Sequence, residues 1–436
     1  VGLRLSWRDD EECSHPVEWN QGGINDWFHA GAVHSGVMKC SILGFCFAVV
    51  LAPFAGAAPL KVYILAGQSN MEGHAKLSSF DHIGMDPKTA PILAEMRGED
   101  GEPTVLDDVW ITYRTGKEED QPGVGKLTAG FGARRVSTEP GEKIGPEFTF
   151  GIYTRKLVNE PILIIKTAWG GKSINTDFRP PSAGPYSFNE KQLENYKKQG
   201  KDLAKIKAEK EEATGRYYRM MMEHVKSVLS DPGKVHPGYD ASEGYELGGF
   251  VWFQGWNDMV DGGTYPDRGR EGGYDQYSEV LAHFIRDVRK ELKSPGLPFV
   301  IGVMGAGGPT ADYESPRYKT THQSFRDAMA APASLPEFKG NVTAVLTEKY
   351  WDPELDAVDK KRGELRTKER ELKKEGLSKK EISARLEKME SKLFTARDRE
   401  LLKGITNADY HYKGSAKIMA QIGKAFAEAV EDLRKK

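Results

Sequence analysis

The sequence predicts an α/β fold built on a mainly parallel sheet. Three observations lead there. Strand-like and helix-like segments alternate from residue 58 onward. The candidate strands are mostly continuous apolar runs, as expected where helices cover both faces of a sheet. The helical segments between them begin and end on recognisable capping and breaking residues.

Taken in order, the chain opens with processing sequence. Met38-Lys39 is followed by an apolar run over 40–54 and then by Ala55-Gly56-Ala57. A basic start, an apolar run and a small-residue exit make a secretory signal peptide over 38–57. Residues 1–37 precede that methionine and are expected to lie outside the mature protein. The apolar run is too short for a spanning helix, so no stable membrane insertion is expected once the signal is removed. The expected destination is secreted or periplasmic. All three cysteines, Cys13, Cys40 and Cys46, lie before residue 50. The chain from 58 onward therefore offers no disulfide framework and no cysteine-based zinc site.

The candidate strands follow at 62–66, 109–113, 162–167, 249–253, 299–304 and 342–346. Gly145-Pro146-Glu147 opens a helix, with Pro in the first turn. Tyr218, Met221, Met222, Val225, Val228 and Leu229 repeat at helical spacing and stop before Asp231-Pro232-Gly233; the methionines read as core. Tyr277, Val280, Leu281, Phe284, Ile285 and Val288 form a second amphipathic helix. Residues 354–403 differ in texture, dense in Lys, Arg and Glu around a narrow apolar seam. Gly376 ends one helix there, and Ser378 with Glu381 caps the next. This predicts a charged helical hairpin whose two arms pack only on each other, inserted into a body spanning 58–436.

Composition narrows the function. With 436 residues, 39% hydrophobic and 29% charged, the chain suits a globular protein with a sizeable core. A formal charge of −2 gives no reason to expect a nucleic-acid partner. Chemistry gathers instead at strand ends. Gly67-Gln68-Ser69-Asn70-Met71 follows the first strand, Ala168-Trp169-Gly170-Gly171 the third, and Gln254-Gly255-Trp256-Asn257-Asp258 the fourth. Asp409-Tyr410-His411-Tyr412 precedes a final helical stretch. Acyl transfer needs groups of these kinds: a nucleophile, a base for its proton, and backbone or amide donors for the developing oxyanion.

These motifs resemble those of the SGNH hydrolase superfamily, and within it the sialate O-acetylesterase and carbohydrate esterase family 6 group. The resemblance implies a three-layer αβα sandwich with a flavodoxin-like sheet. It implies hydrolysis of O-acetyl esters on sugars with no metal and no cofactor. Ser69 is then the nucleophile and His411 the general base. Gly170 or Gly171, the Ser69 backbone and Asn257 would form the oxyanion hole. Gln68, Trp169, Gln254, Trp256 and Arg179 are candidate contacts to an acetylated carbohydrate.

The sequence departs from the family pattern at the triad acid. Ala408 stands three residues before His411, where the superfamily has Asp, and Trp256 stands where the narrower group often has Glu. Asp258 and Asp409 remain as candidates, with Asp258 preferred, and a dyad oriented by a backbone carbonyl is a third option. The other class of reading is a carbohydrate-binding or scaffolding protein that kept the fold and lost catalysis. Gly171-Lys172-Ser173 mimics the end of a phosphate-binding loop, but Lys166 occupies that motif's first glycine position.

Overall fold

The structure is a computed structural model that describes residues 58–117, 119–134, 138–139 and 141–436. The signal-peptide reading of 38–57 and the reading of 1–37 fall outside these residues. The strands are β1 (Leu60–Gly67), β2 (Ala75–Lys76), β3 (Leu106–Arg114), β4 (Gly123–Leu127), β5 (Lys143–Ile144), β6 (Ile162–Ala168), β7 (Tyr245–Phe253), β8 (Phe299–Val303) and β9 (Val342–Leu346). The helices of the first half are α1 (Ser69–Glu72), α2 (Phe80–Gly84), α3 (Ala90–Met96), α4 (Glu147–Leu157), α5 (Glu190–Lys198), α6 (Leu203–Ala213) and α7 (Arg216–Ser230). Those of the second half are α8 (Trp256–Val260), α9 (Asp275–Glu291), α10 (Pro316–Ala330), α11 (Pro353–Lys374), α12 (Lys379–Leu393), α13 (Ala396–Leu402) and α14 (Ala416–Arg434). Among the described residues no helix is long and apolar enough to cross a membrane.

Seven strands form one mostly parallel sheet in the order β4-β3-β6-β1-β7-β8-β9, and only the edge pair β3–β4 is antiparallel. The apolar runs dictate who sits in the middle. Ile162, Leu163, Ile164 and Ile165 of β6 are all fully buried, each side chain contributing roughly 1.5–3 kcal/mol. The start of β3 carries Asp107 and Asp108, which suits a place nearer the edge. This order corrects one sequence expectation. A flavodoxin-like sheet places the first strand between the second and third parallel strands. Here β6, the third, lies between β3 and β1.

Helices cover both faces. On β7, the Phe253 ring meets Phe426 of α14 at 5.3 Å, while Trp252 meets Phe284 of α9 at 4.4 Å. Successive strand residues point to opposite faces, so α14 and α9 lie on opposite sides of the sheet. The methionines of α7 are core, as their spacing predicts.

The charged segment folds as α11, α12 and the short α13. Ser378 and Glu381 form the expected capping box at the start of α12. The expectation that the arms pack only on each other needs correction at the root. Leu355 and Val358 of α11 join Phe394, Leu401 and Ile405 in a second apolar cluster, against which Met85 also packs. The root is thus fastened to the main body, because its first turns are apolar on the inward side.

Candidate active site

The sheet itself brings the strand-end motifs together. Gly67 at the end of β1 pairs with Ala168 of β6 on one side and Phe253 of β7 on the other. The residues that follow each strand therefore emerge side by side at the carboxyl edge, where open α/β sheets place their ligands. Gly67 is required by closeness: a Cβ there would lie 2.1 Å from the Phe253 carbonyl oxygen. The chain then turns into α1, and Ser69 stands at its first position, only 8% exposed.

Gln68 organises this half of the site. Its Nε2 donates to Asn257 Oδ1 at 2.9 Å and makes a long contact of 3.5 Å to Ser69 Oγ. Its Oε1 accepts from Gln254 Nε2 at 3.2 Å and from the Gly255 backbone at 3.0 Å. Gln68 and Gln254 are almost wholly buried. They act as scaffolding beneath the site, and Asn257 keeps its amide Nδ2 as the remaining donor.

Asp258 belongs to the same scaffold. Its carboxylate accepts from the Ile174 and Asn175 backbones at 2.8 and 3.2 Å, from Gln254 Nε2 at 2.6 Å and from Tyr265 OH at 3.0 Å. Burial pushes its pKa up to about 6, against the pull of those donors. Its hydrogen bonds thus fasten the 173–176 loop to α8, just beyond β7, and none reaches His411. Asp409, the other expected acid, points to Lys413 Nζ at 2.6 Å. The partner of His411 is a residue that the sequence reading passed over. Asn407 Oδ1 lies 3.0 Å from His411 Nδ1 and also accepts the Ala408 backbone N–H at 2.7 Å. An oxygen already accepting a backbone N–H faces the ring, so Nδ1 carries the proton and Nε2 keeps its lone pair. Ala408, three residues before His411, offers no polar side chain, and the chain turn places the preceding residue against the ring instead.

The histidine loop is tied to the serine helix through Asn70, whose Nδ2 donates to the Tyr410 carbonyl at 3.1 Å. Among the described residues no direct Ser69–His411 hydrogen bond is made; such bonds often tighten only when substrate arrives. His74 stacks face to face on His411, centroids 4.0 Å apart and planes 5° from parallel. Burial and the nearby Lys143 charge lower His411 to about 4. Burial lowers His74 to about 3, helped by the His411, Lys143 and Lys166 charges. Both rings are therefore neutral near pH 7.

Glu72 was also missed. It is largely buried, and burial raises its pKa. It accepts from Thr115 Oγ1 at 2.8 Å and from the Gly170 backbone N–H. Gly170 is thus occupied by a carboxylate, while Gly171 has a positive φ of 74° and open space where a Cβ would project. Beneath them the fully buried Lys166 pairs with Glu147 at 2.7 Å and donates to the Glu72 carbonyl at 2.9 Å.

The remaining candidates divide. Trp256 is partly exposed beside Tyr410, centroids 5.5 Å apart, and forms an aromatic wall next to His411. Trp169 is buried, its indole N–H donating to the Gly116 carbonyl at 3.0 Å. Arg179 is buried too, bound to Asn175 Oδ1 at 2.6 Å and to the carbonyls of Ala183 and Gly184 at 2.8 Å. Neither is placed to meet a sugar, because local carbonyls already satisfy them.

A family model described as carbohydrate esterase, sialic acid-specific acetylesterase, matches residues 59–334. The chain belongs to this family. The resemblance read from the strand-end motifs is confirmed at that level; Ser69, Gly171 and Asn257 lie within the matched residues, and Asn407 and His411 lie beyond them. Three solved structures are similar to this family member. One, a protein from Arabidopsis thaliana, is 17% identical, with 66% of this chain and 86% of that one covered and a TM-score of 0.37. A second, a carbohydrate acetylesterase from Xanthomonas citri, is 17% identical, with 65% and 49% covered and a TM-score of 0.34. The third, NanS, is 13% identical, with 66% and 78% covered and a TM-score of 0.36. No curated protein matches this esterase-family chain.

Proposed function

We propose that this protein is a secreted esterase that removes O-acetyl groups from sugars by a serine–histidine mechanism on a three-layer αβα sandwich. The observation that carries the reading is the Asn407–His411 hydrogen bond of 3.0 Å, which leaves Nε2 unprotonated on a loop tied to the serine helix. Ser69 Oγ attacks the acetyl carbonyl carbon, and its proton passes to His411 Nε2. The carbonyl oxygen becomes an oxyanion, met by the Ser69 backbone N–H, Asn257 Nδ2 and the Gly171 segment. Collapse breaks the ester bond, and the imidazolium returns the proton to the departing sugar oxygen. Water then attacks the acetyl-enzyme, again giving its proton to His411, and acetate leaves as Ser69 Oγ is reprotonated. Asn407 holds the ring and fixes its tautomer, with no charge of its own. Trp256 and Tyr410 offer aromatic faces to the sugar ring.

Purified protein should release acetate from p-nitrophenyl acetate and from O-acetylated sialic acid or acetylated xylo-oligosaccharides. An inert protein that still bound such sugars would favour the binding or scaffolding reading. Export is tested by N-terminal sequencing of secreted material, which should begin near Ala58.

A further inference from the structure

The loop that carries His411 is held from outside its own segment. Tyr412, Lys413 and Gly414 follow the histidine with φ of 52°, 58° and 58°. Two successive non-glycine residues in the left-handed region need support from their surroundings. Lys413 supplies it through both backbone and side chain. Its N–H donates to the Ala408 carbonyl at 3.0 Å, and its own carbonyl accepts from Thr406 and Asn407 at 2.8 and 2.9 Å. Its side chain is 1% exposed, and Nζ lies 2.6 Å from Asp409, 3.0 Å from Asp359 and 3.2 Å from Asp356. Burial works against its charge, yet the Asp409 and Asp359 carboxylates hold its pKa above the ordinary lysine value. Two of the three carboxylates come from α11, the first helix of the charged segment.

We infer that Lys413, clamped by Asp356 and Asp359 of α11, is the positioning device that fixes the Asn407–His411 pair. The charged helical segment then serves the active site as well as the surface. This rests on the reading of His411 as general base. The backbone of Lys413 holds Asn407, and the side chain holds that backbone to α11. A shift at the helix root is therefore felt directly at the imidazole.

The test is Asp356→Asn combined with Asp359→Asn, assayed on p-nitrophenyl acetate across pH. The clamp predicts a fall in kcat of about tenfold or more, with KM nearly unchanged. It also predicts that the acidic limb of kcat/KM moves up, because a loosened loop exposes the ring to water. The charged and titratable groups around His411 are His74, Lys143 of β5, and Tyr410, Asp409 and Lys413 of its own loop. Removing two nearby carboxylates without moving the loop would push the limb the other way. Asp359→Glu keeps the charge and should recover most of kcat. If the double variant does not fold, Asp356→Asn alone must lower kcat at unchanged KM, since that carboxylate is 30% exposed. A folded variant with wild-type kcat and limb overturns the clamp. When His411→Ala still loses activity in that case, the clamp fails alone; full activity in His411→Ala sinks the function reading and the clamp together.

Discussion

The serine half and the histidine half of the site are built in opposite ways. Ser69 stands on the edge of a sheet, and the residues around it are held many times over. Gln68, Gln254 and Asp258 share a buried network in which their side-chain polar atoms are bonded to neighbouring strand ends, to the 173–176 loop and to the Tyr265 and Tyr277 hydroxyls. His411 stands on a loop with a left-handed backbone immediately after it; its ring is bonded by Asn407, and the loop is pinned at separate points by Asn70, by the Tyr412 hydroxyl and by a lysine reaching to another helix. Damage to the first half should therefore appear as lost stability. Damage to the second should appear as lost rate.

The largest expected effect tests the shared chemistry. Ser69→Ala should lower acetyl release by ~10³-fold or more with melting nearly unchanged, since the serine side chain makes only a long 3.5 Å contact to the supporting Gln68. Retention of a tenth of the wild-type kcat would leave Ser69 as an ordinary first-turn residue of α1.

Next comes the histidine half alone. Asn407→Ala should lower kcat by roughly 10²-fold at unchanged melting temperature, because the ring loses its fixed tautomer. Asn407→Asp should retain activity and move the acidic limb upward, a carboxylate favouring the imidazolium. Equal rates for wild type and Asn407→Ala would leave His411 without its orienter.

Asp258→Asn tests the serine half. Two backbone donors and two side-chain donors would lose a charged acceptor, at about 1.5–3 kcal/mol for a bond to a charged group. Thermal unfolding should show a clear loss, while the folded variant stays within about tenfold of wild-type kcat. A fall of several orders of magnitude in rate, with melting preserved, would restore Asp258 as the triad acid.

The mildest perturbation is pH itself. Burial and Lys143 hold His411 at about 4, and the base must be neutral to act. Activity should therefore stay level as pH falls through the ordinary histidine range and drop only as it passes about 4. A limb near the unperturbed histidine value of about 6.5 would show a ring in open water.

How much of this was legible without coordinates depends on how far apart the partners lie. Apolar runs announced β1, β6 and β7, and glycine-bounded motifs after them announced Ser69, Gly170 and Asn257. These signals are local: a strand end and the few residues beyond it are fixed by their own sequence and by the parallel register. The capping box at Ser378 was readable for the same reason. Strand order was not, because pairing β6 rather than β3 with β1 is decided by which run is buried on every side. Arg179 and Trp169 read as candidate sugar contacts, and only folding showed both buried, with local carbonyls satisfying their donors. Asn407 lay outside the motif position and gave no local signal. Its role arises when a left-handed turn brings Oδ1 against Nδ1, and that turn is held by carboxylates on a helix more than fifty residues earlier in the chain. The sequence by itself determined the class of fold and the strand-end motif that puts Ser69 forward as nucleophile; the tertiary structure decided what faces His411, because left-handed backbone at Tyr412 and Lys413 persists only where distant contacts hold it.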